Sequence, residues 1–451
     1  MDYNILREND IRGEYPNQVN QEVAYRIGKA FGTYLTRKGV NTCVIGHDNR
    51  LSNQELHDHL IKGILNTGIN VIDIGLSTTP LFNYSCIVAQ IPYGIMITAS
   101  HNKASDNGFK IFGENYLHLE ADELEELYDL IKSEEYILGE GTITQASYLN
   151  EYIKMLGNKV NIIKPIKVVF DPGNGTTSIL VKEVFSQFNL DATYIFCESD
   201  GSFPVHNPDP NDLNNLKWLK DKVLELGADI GIGFDGDGDR IGIVDEKGNM
   251  VATDILMGIF AGDIIPRYHN NNKIVYDVKC SKALDIELRR INADPVMLKN
   301  GSAYIETQVY KRGALFGGEY SGHVFFRDDF YGFDDGVYAG IRIIELLSRT
   351  EKKCSSLYEH FEHFYNTPEI RITVDDNLKR SIVEQVKEYA LSKNYNVSTI
   401  DGVRVDYDDG FSLIRCSNTG PTITLRFEAK SEEVLELRKR EFLNLVEYFT
   451  K

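Results

Sequence analysis

The segment KVVFDPGNGTTSILVKEVFSQFNLDATYIFCE (167–198) contains the pattern on which the fold depends. Its β-branched run KVVFD predicts a strand, PGNG predicts a turn, the apolar stretch to about Phe188 predicts a helix, and ATYIFCE predicts a second strand. Short strands that alternate with helices are typical of parallel sheets with right-handed crossover connections. The segment therefore predicts an α/β domain.

The same alternation of strand and helix is present upstream. NTCVIGHD (41–48) and INVIDIG (69–75) predict strands on either side of a helix that begins at Ser52. Ser52 and Glu55 have the spacing of a capping box, in which the serine hydroxyl bonds a backbone N–H of the first turn. The spacing predicts that Ser52 caps this helix.

Downstream, the alternation continues as far as ALFGGE (314–319), and the pattern then changes. EIRITV (369–374) and a helix from about Asn377 precede VRVDYDD, FSLIRCS and TITLRFEA (403–429), and a final helix follows. Consecutive strands separated by DDG and NTGP turns predict an antiparallel α+β unit. The fold class is therefore α/β, with three similar α/β segments, mixed and mainly parallel sheets, and a smaller C-terminal α+β segment.

The composition is that of an acidic globular protein. The chain has 451 residues and a formal net charge of −19, with 42% hydrophobic and 25% charged residues. Nucleic-acid phosphates select basic surfaces, so this balance argues against a nucleic-acid partner, although a locally positive pocket can still bind a small anion. The apolar runs are shorter than the ~18–20 residues that span a bilayer, so we expect no membrane association.

The start of the chain and its cysteines predict a cytoplasmic location. MDYNILREND (1–10) is polar and contains no signal-peptide core. None of the six cysteines lies within a C-x-x-C spacing, which argues against a zinc knuckle or a redox pair. We expect them to be reduced, mostly packed thiols.

The strongest chemical signal is GFDGDGDR (233–240), where Asp235, Asp237 and Asp239 alternate with glycines after an apolar strand. Glycine allows the backbone to turn tightly, so that three carboxylates converge. Their mutual repulsion favours a hard cation such as Mg²⁺. An acidic surface turn is one alternative. An EF-hand loop is another, but Arg240 occupies the position of its required glycine.

ITASHNKASDNGFKIF (97–112) combines an apolar strand with a polar loop. Ser100 would lie at the strand end beside His101, with Lys110 ten residues later. A polar loop with an ST-turn is the alternative, since neighbouring Ser and His do not make a catalytic triad.

Two further loops carry groups that recognise polar ligands. GGEYSGH (317–323) offers a carboxylate, a hydroxyl and an imidazole that could bind a polyol, or it is a strand-terminating turn. RCSNTGPTITLRFEA (415–429) surrounds a turn with a guanidinium, hydroxyls and backbone N–H groups, which suits an anion. An ordinary hairpin is the alternative for this second loop.

Taken together and in this order, TASHN, DGDGDR, GEYSGH and RCSNT resemble four loops of the α-D-phosphohexomutase family, in its bacterial phosphomannomutase/phosphoglucomutase branch. In that family they are the phosphoserine, metal, sugar and phosphate loops. The resemblance implies four domains around a central cleft. Their predicted bounds are 1–145, 146–248, 249–366 and 367–451.

The resemblance also implies a role for each matching residue. Ser100 would carry a transferable phosphoryl group, and an oxygen of that group would bind Mg²⁺ together with the three aspartates. Arg240 would neutralise the phosphoryl group, and Lys110, His101 and His323 are candidates for moving the hydroxyl proton. The substrate-binding residues would be Arg12, Lys279, Glu319, Ser321, Arg415, Ser417, Asn418 and Thr419.

The implied activity is the interconversion of hexose 1-phosphate and hexose 6-phosphate, with mannose or glucose as the sugar. It would proceed through a hexose 1,6-bisphosphate, which also serves as activator, in a monomer or weak homodimer. A phosphoglucosamine mutase of the same family, or a metal phosphatase, is an alternative. Asn9 and Ser302 depart from the family pattern, which leaves open a catalytically inactive sugar-phosphate-binding regulator.

Overall fold

A computed structural model of the chain describes residues 1–7, 10–268, 270–375, 377–417 and 420–450. Asn9, Asn418 and Thr419, which the sequence analysis singled out, lie outside the described residues. The chain divides into two compact units. The first unit is Met1–Ala252 with Ser321–Leu357, and the second is Thr253–Tyr320 with Tyr358–Lys451.

The strands of both units follow the chain order predicted from the apolar runs. In chain order they are β1 (Ile11–Glu14), β2 (Thr42–His47), β3 (Asn70–Leu76), β4 (Gly94–Ile97), β5 (Asp106–Phe112), β6 (Ile143–Gln145), β7 (Ile166–Asp171), β8 (Leu190–Tyr194), β9 (Ile230–Phe234), β10 (Ile241–Asp245), β11 (Met250–Val251), β12 (Lys273–Asp277), β13 (Asp294–Leu298), β14 (Phe316–Gly318), β15 (Val324–Phe326), β16 (Tyr365–Asn366), β17 (Ile370–Thr373), β18 (Val397–Ser398), β19 (Val403–Tyr407), β20 (Gly410–Cys416) and β21 (Thr422–Ala429).

The helices lie between the strands in the order expected for α/β domains. They are α1 (Gln21–Arg37), α2 (Asn53–Leu65), α3 (Thr79–Ala89), α4 (Ala121–Ser133), α5 (Leu149–Gly157), α6 (Val181–Phe185), α7 (Lys217–Leu226), α8 (Thr253–Ile264), α9 (Lys282–Arg290), α10 (Ser302–Lys311), α11 (Gly336–Ser348), α12 (Lys379–Ser392) and α13 (Glu432–Thr450). Within the described part of the chain, none of the helices has both the length and the apolar character needed to cross a bilayer.

The first unit contains two mixed sheets. One has the strand order β1-β5-β4-β2-β3-β6, in which β2 is parallel to β3 and β4 while β5 is antiparallel to β1 and β4. The other has the order β11-β10-β9-β7-β8, in which β7 is parallel to β8 and β9 while β10 is antiparallel to β9. Helix α11 packs against β7, β9 and β10. The predicted mixed sheets are therefore confirmed.

The second unit contains a parallel arrangement and an antiparallel sheet. β12 is parallel to β13 and β14, and the helices α8, α9 and α10 pack in the same region. In the sheet β16-β21-β20-β19-β18, every pair is antiparallel, and α12 and α13 cover it. The α+β character predicted for the C-terminal segment is confirmed.

Two local predictions were wrong. Ser52 makes no capping bond to the first turn of α2, because its hydroxyl accepts a hydrogen bond of 2.6 Å from the Asn107 side chain instead. The helix expected to continue to about Phe188 is divided at Leu180, where the backbone leaves the helical region between a short 3₁₀ turn and α6. The six cysteines are free thiols, as predicted.

Candidate active site

Two strands of the first unit deliver the predicted phosphoryl and metal loops to one place. β4 ends at Ile97 and leads into the TASHN segment, while β9 ends at Phe234 and leads into the aspartate loop. Ser100 Oγ donates a hydrogen bond of 2.8 Å to Asp235 Oδ2, and both residues are buried. Segments 135 residues apart in sequence thus meet through their functional side chains.

The close approach of these loops requires glycine at position 236. A Cβ at Gly236 would lie 2.5 Å from the carbonyl oxygen of Ser100, a distance that backbone atoms do not allow. Ser100 itself has φ of +51°, a left-handed conformation that costs about 1–3 kcal/mol for a residue other than glycine. The strained serine is consistent with a functional position.

Asp235, Asp237 and Asp239 form a buried group whose ligand atoms lie within 4.8 Å of one another. Oδ1 of Asp237 and Oδ1 of Asp239 are buried and have no hydrogen-bond partner among the described residues. Buried carboxylate oxygens without a hydrogen-bond partner are unfavourable, and oxygen ligands of this kind suit a hard divalent cation. The three residues therefore fit a metal ion such as Mg²⁺.

Lys110, on β5, contacts two of the three aspartates. Its Nζ lies 2.7 Å from Asp237 Oδ2 and also donates to Asp239 Oδ2. Burial lowers the pKa of Lys110, but the two carboxylates raise it by more, so its pKa lies above the usual value. Lys110 therefore remains an ammonium ion, a state that favours an electrostatic role over that of a base.

The carboxylates of the loop have pKa values shifted in opposite directions. Burial, together with repulsion from Asp239 and Asp237, raises the pKa of Asp235 well above its usual value. Burial also acts to raise the pKa of Asp239, but Lys110 and the other positive groups beside this carboxylate together outweigh burial, so the pKa of Asp239 is lowered. The positive side chains beside the three aspartates do not balance all three carboxylates. A divalent cation would supply the missing positive charge.

His323 is held in one tautomer by two neighbours. Its Nε2 accepts a hydrogen bond of 2.8 Å from Arg240 Nε, which can only donate, and its Nδ1 lies 2.6 Å from Asp334 Oδ2. Nδ1 therefore carries the hydrogen and Nε2 carries the lone pair. This is the neutral form that can accept a proton.

Two other predicted residues lie on the Ser100 loop or bond to it. His101 Nδ1 is 3.3 Å from Ser100 Oγ, and burial followed by the nearby Arg240 and Arg12 guanidinium groups lowers its pKa well below the usual value. Arg12 donates from Nη1 to the Asn102 side chain at 3.2 Å. The first unit thus brings together the predicted catalytic and metal residues.

The predicted sugar loop is divided between the units, because Glu319 belongs to the second unit while Ser321 and His323 belong to the first. In the second unit, Glu319 accepts hydrogen bonds from the Asn300 side chain, at 2.8 Å, and from the N–H of Gly301. In the first unit, the Ser321 carbonyl accepts a hydrogen bond from the Asn211 side chain.

The predicted cationic residues of the second unit are paired with carboxylates. Arg415 Nε lies 2.8 Å from Asp401 Oδ2, and Lys279 Nζ lies 3.1 Å from Glu369 Oε1. Both cationic side chains are buried. The N–H of Ser417, the residue after β20, donates to the carbonyl of Thr422 at 2.9 Å.

Family profiles and known relatives match the chain over nearly its full length. The profiles are described as phosphoglucomutase/phosphomannomutase alpha/beta/alpha domains I, II and III and C-terminal domain, and they match residues 4–137, 150–248, 252–364 and 369–445. A phosphomannomutase/phosphoglucomutase of Pseudomonas syringae pv. tomato is 40% identical and aligns over 96% of this chain and 92% of its own. The chain belongs to the phosphoglucomutase/phosphomannomutase family. The family predicted from the four loops is confirmed, and with it the prediction that the protein is an enzyme.

Other members of the phosphoglucomutase/phosphomannomutase family agree with this assignment. A phosphoglucomutase of Neisseria gonorrhoeae is 34% identical over 98% of this chain and 96% of its own. A solved family protein of Burkholderia thailandensis superposes with a TM-score of 0.92 at 32% identity, and the match covers 100% of this chain and 98% of the other. The four-domain α/β architecture is therefore shared.

Several residues that contact these family loops were not predicted from the sequence. Thr79 donates from Oγ1 to Asp237 Oδ2 at 2.6 Å, and Asp334 orients His323. In the second unit, Glu369 and Asp401 pair with the predicted cationic residues. Asp334 lies in GFDDG (332–336), a further segment that resembles the family pattern, so a sequence signal for this residue was present. The other three have no local signal, because each contact depends on the tertiary fold.

The Glu369–Lys279 pair predicts a pH-dependent contribution to stability. Burial raises the pKa of Glu369, but contact with Lys279, and to a smaller extent with Arg371, outweighs burial and lowers it to about 2, below the usual value for a glutamate. A carboxylate whose pKa is lower in the folded than in the unfolded state stabilises the fold at pH values above its unfolded-state pKa. That stabilisation is lost as the pH falls towards the folded-state pKa. We expect Glu369→Gln to lower the free energy of unfolding by about 1–3 kcal/mol at neutral pH.

Scanning calorimetry at several pH values would test this prediction. The difference between wild type and Glu369→Gln should shrink as the pH falls below about 5. Glu362→Gln is the matched control, since Glu362 pairs with Lys430 at the surface, where ion pairs contribute about 0–1 kcal/mol. A Glu369→Gln difference that is independent of pH would contradict the ionic origin of the effect.

Proposed function

We propose that the protein reversibly interconverts the 1- and 6-phosphates of a hexose, mannose or glucose, by way of a phosphoserine at Ser100. The observation that carries the proposal is the 2.8 Å hydrogen bond between Ser100 Oγ and Asp235 within the buried carboxylate group. The full-length relatives are named phosphomannomutase/phosphoglucomutase and phosphoglucomutase, which supports the sugar class.

In the proposed reaction, phosphoserine 100 transfers its phosphoryl group to a hydroxyl of the hexose phosphate. The phosphorus–oxygen bond to Ser100 breaks as a bond to the sugar oxygen forms, and the hydroxyl proton moves to a base. The resulting hexose 1,6-bisphosphate reorients, the bond from phosphorus to the other sugar oxygen breaks as a bond to Ser100 Oγ forms, and the base returns its proton to the freed sugar oxygen. The same serine thus acts on both ends of the sugar, and added bisphosphate would maintain the phosphorylated enzyme.

Among the three candidate bases, the geometry best supports His323. Asp334 holds the hydrogen on Nδ1, and the Nε2 lone pair, which accepts a hydrogen bond from Arg240 Nε, would take the hydroxyl proton once Arg240 turns towards the phosphoryl group. Lys110 is held as an ammonium ion and would stabilise negative charge on the transferring oxygens. Arg240 would add a second positive charge, and His101 would remain neutral beside Ser100.

We propose that Mg²⁺ is the resident metal. Asp235, Asp237 and Asp239, with an oxygen on Ser100, would hold it. When bound, it would supply positive charge that offsets the charge on the transferring phosphoryl oxygens.

The other predicted residues would bind the substrate. Glu319 and Ser321 would bind sugar hydroxyls, and Arg12 and Lys279 would contribute positive charge to substrate binding. The phosphate that does not react would bind Arg415, Ser417, Asn418 and Thr419. We further propose that the protein works in the cytoplasm as a monomer or weak homodimer.

A coupled assay would test the proposed function. Purified protein is mixed with mannose 1-phosphate or glucose 1-phosphate, Mg²⁺ and a catalytic amount of glucose 1,6-bisphosphate, and 6-phosphate formation is followed. We expect turnover with at least one of the two sugars, and the two kcat/KM values would define the preference. Turnover confined to glucosamine 1-phosphate, release of inorganic phosphate, or no turnover would contradict the proposal.

A further inference from the structure

Arg50 is a buried arginine that bonds to the backbone of the Ser100 loop. Its Nη2 donates to the carbonyl oxygens of Ser100 at 2.7 Å and of Asn102 at 2.8 Å. Its Nη1 donates to the carbonyl oxygens of Lys103 at 2.7 Å and of Asp106 at 2.9 Å. One guanidinium group therefore binds the loop both at Ser100 and on its C-terminal side.

Asp48 connects this arginine to the other side of the serine. Its carboxylate accepts hydrogen bonds from Arg50 Nε at 3.2 Å and from Thr98 Oγ1 at 2.6 Å. Thr98 Oγ1 in turn accepts a hydrogen bond of 2.8 Å from the N–H of Ser100. Both backbone polar groups of Ser100 are thus held through a network centred on Asp48.

The Asp48 carboxylate accepts enough hydrogen bonds to be fixed in this network. Besides the two hydrogen bonds above, it accepts one of 2.9 Å from the N–H of Arg50 and one of 2.5 Å from the Asn53 side chain. Arg50 is 2% exposed, and its guanidinium carbon lies 5.1 Å from the centre of the Phe203 ring. The pair is fixed by packing as well as by hydrogen bonds, so it can hold the loop rigidly.

The conformation that this network holds is an unfavourable one. Ser100 has φ of +51°, and such a conformation persists only where surrounding contacts enforce it. We propose that Arg50, oriented by Asp48, is a positioning residue that holds Ser100 in this conformation and so aims its Oγ for phosphoryl transfer. The inference rests on the proposed role of Ser100 as phosphoryl carrier.

Lysine cannot replace arginine in this position. The guanidinium is a planar fork with five donors, and here it serves four carbonyl oxygens and one carboxylate. An ammonium has three donors on one nitrogen and cannot reach both sides of the loop. Arg50→Lys therefore keeps the charge but loosens the loop.

The first readout is catalysis. We expect Arg50→Lys to lower kcat by about 10- to 100-fold, because small displacements of a reacting atom have effects of this size. KM for the hexose phosphate should change by less than about threefold, because Arg50 is assigned no substrate contact.

The second readout is amide hydrogen exchange over residues 98–108, which does not depend on turnover. Exchange at these amides should be faster in Arg50→Lys than in wild type, because the carbonyls that the arginine holds are released. A wild type without mutase activity would reject the proposed function, yet the exchange data would still decide whether Arg50 orders the loop.

A stability control separates positioning from general destabilisation. Leu130→Ala removes a buried side chain from the core of the same sheet domain and leaves every bond of the network in place. We expect it to lower the melting temperature while kcat and loop exchange stay close to wild type. Equal losses of kcat in Leu130→Ala and Arg50→Lys would overturn the proposal.

Variants at Thr98 keep the proposal testable if Arg50→Lys does not fold. Thr98→Val preserves the shape but removes the hydroxyl that links Asp48 to Ser100, whereas Thr98→Ser retains it. Thr98→Val should lower kcat and speed exchange at the Ser100 amide, and Thr98→Ser should restore both. Wild-type kcat in Thr98→Val, or unchanged loop exchange in Arg50→Lys, would reject the positioning role.

Discussion

Replacing Ser100 with alanine is expected to lower mutase turnover by at least about 10³-fold, the scale seen when a covalent nucleophile is removed. The hydroxyl would be the only atom that accepts the phosphoryl group, and its loss also removes the hydrogen bond to Asp235. The fold should survive, because alanine fits the space of serine. Intact-protein mass spectrometry should find a phosphoryl adduct on wild type that discharges onto substrate, and no adduct on Ser100→Ala.

Ser85→Ala is the matched control for this change. Ser85 is also buried in the first unit, and its hydroxyl donates to the carbonyl of Leu81 within α3 at 2.7 Å. The substitution removes a serine hydroxyl away from the aspartate loop and should leave turnover and the adduct intact. A Ser100→Ala protein that keeps near-wild-type turnover would reject Ser100 as the phosphoryl carrier, whatever the control shows.

The meeting of Ser100 with the aspartates could be expected from the sequence because both motifs directly follow apolar strands. The carboxyl ends of parallel strands are where ligand sites form in α/β sheets. β4 and β9 belong to different sheets, however, and no local pattern says that their ends face each other. The expectation that the two loops meet came from the order of the four motifs and not from the spacing of residues.

Residues that act through tertiary contacts could not be predicted in the same way. Arg50 lies in a polar stretch after β2 and resembles any surface arginine in sequence, yet it is buried against the Ser100 loop. Ser52 has the spacing of a helix cap, but its hydroxyl accepts a hydrogen bond from the side chain of Asn107, which lies on a strand distant in sequence. In both cases a partner more than 45 residues away decides the role of the side chain.

Asp235→Asn should have opposite effects on turnover and on the stability of the metal-free protein. Burial and repulsion raise the folded-state pKa of Asp235, so at neutral pH its charge is less favourable in the folded than in the unfolded protein. Removing this charge should therefore raise the melting temperature of the protein without metal. Turnover should fall by about 10²-fold or more, because one of three oxygen ligands loses its charge.

The metal should stabilise wild type but not this variant. A ligand that binds only the folded state raises the melting temperature as its concentration increases. Wild type treated with a chelator should lose turnover, and added Mg²⁺ should restore both turnover and the thermal shift. In Asp235→Asn the shift should need far more Mg²⁺ or be absent.

Asp73→Asn is the control, and the change that we expect in its melting temperature has the opposite sign to that of Asp235→Asn. Asp73 is buried, and although burial raises its pKa, the contact with His57 and the hydrogen bonds from Gln145 and the N–H of Gly75 together outweigh burial and lower the pKa. Its charge therefore stabilises the fold, and Asp73→Asn should lower the melting temperature while the Mg²⁺ shift persists. If Asp235→Asn destabilised the metal-free protein as Asp73→Asn does, and kept the full Mg²⁺ shift, the carboxylate group would be structural and the metal would lie elsewhere.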